Sequence, residues 1–150
     1  MGHTYTDILA HVIFSTKDRT PLLDAELKPR LFPYMGGILR ELGGAPLLIN
    51  GPTDHVHILT IAPAKVALSE LVGKVKANSS GWVHREFAER SSFAWQTGYA
   101  AFSVSHSQRE TVLHYIANQE EHHRKVSFRE ELVLFLSKHE IRYDEQYIFE

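Results

Sequence analysis

The chain has 150 residues, no cysteine, a formal net charge of −2 and a pI near 6.5, so it has the length of one domain and can form neither disulfides nor thiolate metal sites. A metal, if bound, must be held by nitrogen and oxygen ligands. The basic excess of many nucleic-acid binders is missing, and no stretch approaches the ~20 apolar residues of a membrane span.

The amino-terminal residues, MGHTYTD, lack the basic-then-apolar pattern of an export signal, and a soluble, cytoplasmic, single-domain protein over 1–150 is expected. Residues 5–15 (YTDILAHVIFS) are apolar on both parities, which suits a central strand covered on both faces. His11 shares parity with Leu9 and Ile13 and reads as a satisfied core histidine or a support for a neighbouring site. KDRTP then breaks the strand, leaving Lys17 and Arg19 at its carboxyl end. Between Asp24 and Leu42, the spacing of Leu27, Leu31, Tyr34, Ile38 and Leu42 predicts an amphipathic helix, with Pro33 as a kink or true start and Gly43-Gly44 as its stop.

PLLIN (46–50), the turn residues Gly51 to Asp54 and then DHVHIL predict an antiparallel hairpin. Successive strand side chains alternate, so His55 and His57 share one face while Val56 and Ile58 take the other. Two neutral imidazoles side by side make half of a metal site; equally, they suit the open polar face of a half-buried sheet. Leu68, Leu71, Val72 and Val75 predict a second helix with Lys74 and Lys76 near its polar side, loosening at Asn78 to Gly81. Trp95 reads as core, and Tyr99–Val104 as a fourth strand.

Ser107 to Lys125 reads as one helix opened by a capping box of Ser107 and Glu110, with Tyr115 and Gln119 one turn apart on a flank rotated from the apolar stripe. That flank could face the His pair, or Tyr115 could pack half-exposed on the sheet edge. Ser127 with Glu130 opens a last helix carrying Phe128, Leu132, Phe135 and Leu136. The order strand, helix, strand, strand, helix, strand is the split β-α-β pattern of an α+β, ferredoxin-like antiparallel sheet, with helices on one face and extra C-terminal helices.

HVIFSTKDR, DHVHIL, WQTGYAAFSVS and YIANQEEHHRK, in this order, resemble the single-tyrosine transposases of small bacterial insertion sequences and the REP-associated tyrosine transposases, within the His-hydrophobic-His nuclease superfamily. The resemblance implies His55, His57 and Gln119 as metal ligands for Mg²⁺ or Mn²⁺ and Tyr115 as the nucleophile. It also implies cleavage and rejoining of single-stranded DNA, at hairpin-containing element ends, through a 5′-phosphotyrosine. Lys17, Arg19, Lys74, Lys76 and Arg124 are the candidate DNA-backbone contacts, and His11 and His122 the candidates for supporting roles. The relatives form two-fold dimers, which implies a homodimer with composite sites, Tyr115 and Gln119 crossing to the partner's His55 and His57 through a hinge at 103–107. Two other readings compete: a domesticated module that binds single-stranded nucleic acid without cutting, and a metal-dependent hydrolase with His122 and His123 completing the site.

Overall fold

A computed structural model describes residues 2–150; Met1, the first residue of the stretch read for an export signal, lies outside them. The sheet holds β1 (Leu9–Ser15), β2 (Ala45–Asn50), β3 (His55–Ile61) and β4 (Ala100–Val104) in the order β2-β3-β1-β4, every neighbouring pair antiparallel. This is the expected ferredoxin-like arrangement. All seven residues of β1 are buried, as its double-parity apolar pattern requires.

The even-numbered face, with Ala10, Val12, Phe14, Val56 and Ile58, packs under α1 (Lys28–Glu41) and α2 (Leu68–Glu86). Pro29 sits in the first turn of α1, where its missing N–H costs nothing, and Pro33 lies inside the helix without ending it. Gly43, at φ +91, ends the helix in the left-handed region, and Gly44 N–H donates back to Leu39 O at 2.9 Å. The expected loosening at 78–81 does not occur: α2 runs unbroken to Glu86, because Ser79 is buried and its Oγ accepts the Trp95 indole N–H at 2.9 Å.

Helices cover the second face too, against expectation. Leu9 and Leu59 form one apolar cluster there with Ile116 of α3 (Arg109–Ala117); Ile13 and Phe102 form another with Phe128, Leu132 and Leu136 of α5 (Phe128–Lys138). Each fully buried side chain of this kind contributes about 1.5–3 kcal/mol, so leaving the odd-numbered face open would forfeit a second core.

The helix expected over 107–125 is shorter and broken. Ser107 bonds to Ser105 at 3.1 Å instead of capping, and α3 starts at Arg109 with no side-chain cap. At Asn118 the side-chain amide donates to His114 O at 2.8 Å, which competes with the helix backbone; a short turn, α4 (Gln119–His122), follows. The cap at Ser127 does form, accepting from Glu130 N–H at 3.2 Å.

Candidate active site

His55 and His57 enter from β3, opposite Ser15 and Ile13 of β1, and both are fully buried beneath α5. The open-face reading therefore fails. Gly51 makes the turn into this strand possible: a Cβ there would meet His55 O at 2.2 Å, a contact only glycine avoids.

Each imidazole is held at Nδ1. Nδ1–H of His55 donates to Asp54 Oδ1 at 2.7 Å, and Nδ1 of His57 pairs with His11 Nε2 at 2.8 Å, so His11 lies directly behind the His pair. Fixing Nδ1 turns Nε2 toward a common point, the arrangement that orients metal-binding histidines. At that point lies a residue the sequence did not single out. Glu131, from the first turn of α5 and 2% exposed, places Oε1 at 3.2 Å from His55 Nε2, 2.9 Å from His57 Nε2 and 3.1 Å from His123 Nε2.

Its other oxygen, Oε2, accepts from the Tyr115 hydroxyl and from Gln119 Nε2 at 3.3 Å, and lies 3.2 Å from His122 Nε2. Tyr115 and Gln119 thus face the His pair, and the Tyr115 ring centroid is 5.9 Å from that of His57. His122 Nε2 also lies 3.2 Å from the Tyr115 hydroxyl oxygen. The one sequence sign of Glu131 was its place among Phe128, Leu132, Phe135 and Leu136, where an acid shares the buried side of an apolar helix.

The electrostatics follow from burial and these partners. Burial pushes His57 down to about 4 and His11 down to about 3, so both are neutral at neutral pH. His55 is pushed down by burial, but its bonds to Asp54 and Glu131 more than offset this and raise it. Burial would raise the Glu131 carboxyl; hydrogen bonds from His123, His55 and His57 instead hold it far below the usual carboxylate range. Tyr115 is raised by burial and by the Glu131 carboxylate beside it, so it rests as a neutral phenol.

The donors suit a cation. His55, His57, His123 and Glu131 offer ligand atoms all within 4.8 Å of one another, and Gln119 Oε1 is buried beside them with no hydrogen-bond partner among the described residues. A buried amide oxygen left unpaired costs about 1–3 kcal/mol, which a ligand there would recover.

The proposed basic contacts are scattered. Lys17 and Arg19 lie exposed just past Ser15, at the His55 end of the sheet, with the Arg19 guanidinium 4.1 Å from the Phe149 ring centroid. Arg124 is exposed and paired with Glu121 at 3.0 Å. Lys74 and Lys76 belong to α2, which packs on the face opposite the histidines. Lys74 pairs with Glu70 at 3.0 Å; Lys76 donates to Thr97 O at 2.9 Å and Gly98 O at 2.7 Å, and burial lowers it to about 8. The fold uses Lys76 to tie α2 to the loop before β4, and it is not at the His site.

The expected division of the site between chains is also unnecessary. Residues 103–107 do not form an extended hinge: they finish β4 and enter a tight 3-10 turn over His106–Gln108 that returns α3 over its own sheet. One chain brings Tyr115, Gln119, His55 and His57 together.

The family described as "Transposase IS200 like" matches residues 4–119, which includes the His strand and ends at Gln119, before His122, His123 and Glu131. Among solved structures, a protein from Deinococcus radiodurans R1 provisionally assigned as a transposase shares the fold, with a TM-score of 0.64 and 24% identity over 79% of this chain and 96% of that one. A REP-associated tyrosine transposase bound to a REP hairpin gives a TM-score of 0.56 and 11% identity, over 83% of this chain and 72% of that one. No curated protein matches the chain. Since the match spans most of the sequence and the sheet and helices have the architecture of transposase structures, the chain belongs to the IS200-like transposase family, and its role is that of a DNA-processing transposase.

Proposed function

We propose that this protein nicks and rejoins single-stranded DNA in transposition, using Tyr115 as the nucleophile and a bound divalent cation. The observation that carries the reading is the meeting of a tyrosine hydroxyl with a buried cluster of three imidazoles and one carboxylate. In the forward step the Tyr115 oxygen forms a bond to phosphorus, the bond from phosphorus to the 3′-oxygen breaks, and the strand leaves with a 3′-hydroxyl. The 5′-phosphate stays on Tyr115, so its bond energy is kept and rejoining needs no nucleotide cofactor.

Tyr115 loses its proton in this step and the leaving 3′-oxygen gains one; Glu131 Oε2 orients the hydroxyl by accepting its hydrogen bond, and His122 Nε2, 3.2 Å from the hydroxyl oxygen, is the imidazole in reach to take that proton and pass it on. Asp54 and His11 hold His55 and His57 at Nδ1, so that both Nε2 atoms point to the common position where Glu131 Oε1 meets them. We assign the cation to His55, His57 and Glu131, with His123 and Gln119 Oε1 as the remaining donors in reach. When bound, it supplies charge to stabilise the phosphate oxygens. Imidazole-rich sets favour Mn²⁺ and the later first-row ions over Mg²⁺. The hairpin held by the REP-associated relative makes a single-stranded hairpin the proposed substrate class.

Incubation of the protein with labelled single-stranded hairpins from the DNA flanking its coding sequence, with Mn²⁺ or EDTA, tests this. A covalent protein–DNA adduct should form with Mn²⁺, vanish with EDTA, and be absent from Tyr115→Phe and His57→Ala proteins that still bind DNA. An adduct that persists in Tyr115→Phe, or duplex DNA cut as readily as single strands, would refute the reading.

A further inference from the structure

Between α3 and α5 lies a cleft of about 280 Å³ lined by Tyr115 and, at its buried end, by His11 and Glu131. Val112, Val126, Leu134 and Phe135 form its walls, and Lys138 stands at its rim. Leu134 is 55% exposed, a large apolar side chain left at the mouth instead of in a core. On the other side of Tyr115 a more open groove continues past His122 toward Asn118 and Lys125, and both cavities share Tyr115, His122 and Val126. The nucleophile therefore sits where a narrow apolar slot meets a more open channel.

We propose that the cleft is a binding slot for one unstacked nucleobase beside the scissile phosphate. The inference rests on the transposase reading and adds to it where the strand goes. A phosphate can reach a half-buried tyrosine in a walled site only if the bases flanking it are splayed apart. One flanking base then needs an apolar, aromatic surface to replace its lost stacking, and the other can remain with the strand in the open channel. The cleft offers that surface in Phe135, whose ring centroid lies 5.7 Å from that of Tyr115. It is smaller than the ~300–1,000 Å³ of pockets that take drug-sized ligands, which suits a single heteroaromatic ring system. Lys138 lines the slot and Lys125 the channel, where Glu121 also lies, so each cavity holds a cation that the sugar–phosphate backbone beside the reacting phosphate can meet. Stacking of this kind tolerates every base, so the slot positions the strand more than it reads sequence.

The test removes one base at a time. Hairpin strands that the wild-type protein converts to adduct are remade with a single abasic site at each position around the cleaved bond, and kcat/KM for adduct formation is measured with Mn²⁺. An abasic site at one of the two flanking nucleotides should slow the wild-type protein about tenfold or more, and sites further out should have little effect. Leu134→Trp, an exposed position on α5 whose folding is checked by circular dichroism, should fill the slot. It should be slow on the intact strand and show no further loss on the abasic one. Equal rates for all abasic strands, or losses that simply multiply in Leu134→Trp, would overturn the slot while leaving the nucleophile standing. A wild-type protein that forms no adduct on any intact strand fails the transposase reading itself, and the slot with it.

Discussion

Oε1 of Glu131 lies 2.9 Å from Nε2 of His57, joining the first turn of α5 to β3 across 74 positions of sequence, and both side chains are buried. The carboxylate is acceptor to three imidazoles and to the Tyr115 hydroxyl at once, so it ties the candidate metal donors and the proposed nucleophile into one network. Glu131→Gln keeps the shape and removes the charge. It should weaken Mn²⁺ binding by about tenfold or more by titration calorimetry, since even supporting partners of metal ligands have effects of that size. Unchanged affinity would remove Glu131 from the metal site.

Acid should destabilise the metal-free protein before its carboxylates titrate. His11 and His57, held down to about 3 and 4 by burial, stay neutral in the fold, whereas in the unfolded chain they take up protons near their ordinary 6.5. Their contribution is present above pH 6.5 and is lost as pH falls through 6.5 toward 4, at up to about 1.4 kcal/mol per pH unit for each. The raised His55 works the other way: its contribution holds below 6.5 and is lost only as pH rises through its folded value. The lowered Glu131 holds until pH falls below 4.5. Urea midpoints should therefore drop from pH 7 to pH 5, and a flat profile would show that the imidazoles are not buried neutral.

Sites built within one chain should not complement each other. When His57→Ala and Tyr115→Phe proteins are mixed under subunit exchange, every site carries one defect, and no adduct should appear. Sites shared between the chains of a two-fold dimer would instead restore roughly a quarter of wild-type activity, because each mixed dimer would then hold one intact site. Recovery of that size would return Tyr115 to the partner chain.

Gly51→Ala should damage the site from outside it. The added methyl would press on His55 O and Val56 Cα, backbone atoms that cannot turn away, and overpacking of this kind costs about 1–3 kcal/mol. The variant should melt earlier and bind Mn²⁺ more weakly than wild type. Wild-type values for both would mean that the turn can relax without moving the His strand.

Some of this architecture was legible from local rules. Period-two alternation placed His55 and His57 on one face, the apolar run around His11 marked a central strand, and helical spacing put Tyr115 and Gln119 together on a flank. Each depends only on residues a few positions apart. The breaks in those predictions arose where a distant partner decided the outcome: Trp95 bonding to Ser79 kept α2 whole, and apolar residues of α3 and α5 closed a face that alternation alone left open. Lys76 looked like a surface cation because its carbonyl partners lie at Thr97 and Gly98, beyond any helical period. The role of Glu131 was hidden for the same reason. A lone acid on an amphipathic helix carries no sign of what it faces, and only the packing of α5 over β3 brings its carboxylate to three imidazoles and a tyrosine, where the charge is matched and its burial becomes tolerable.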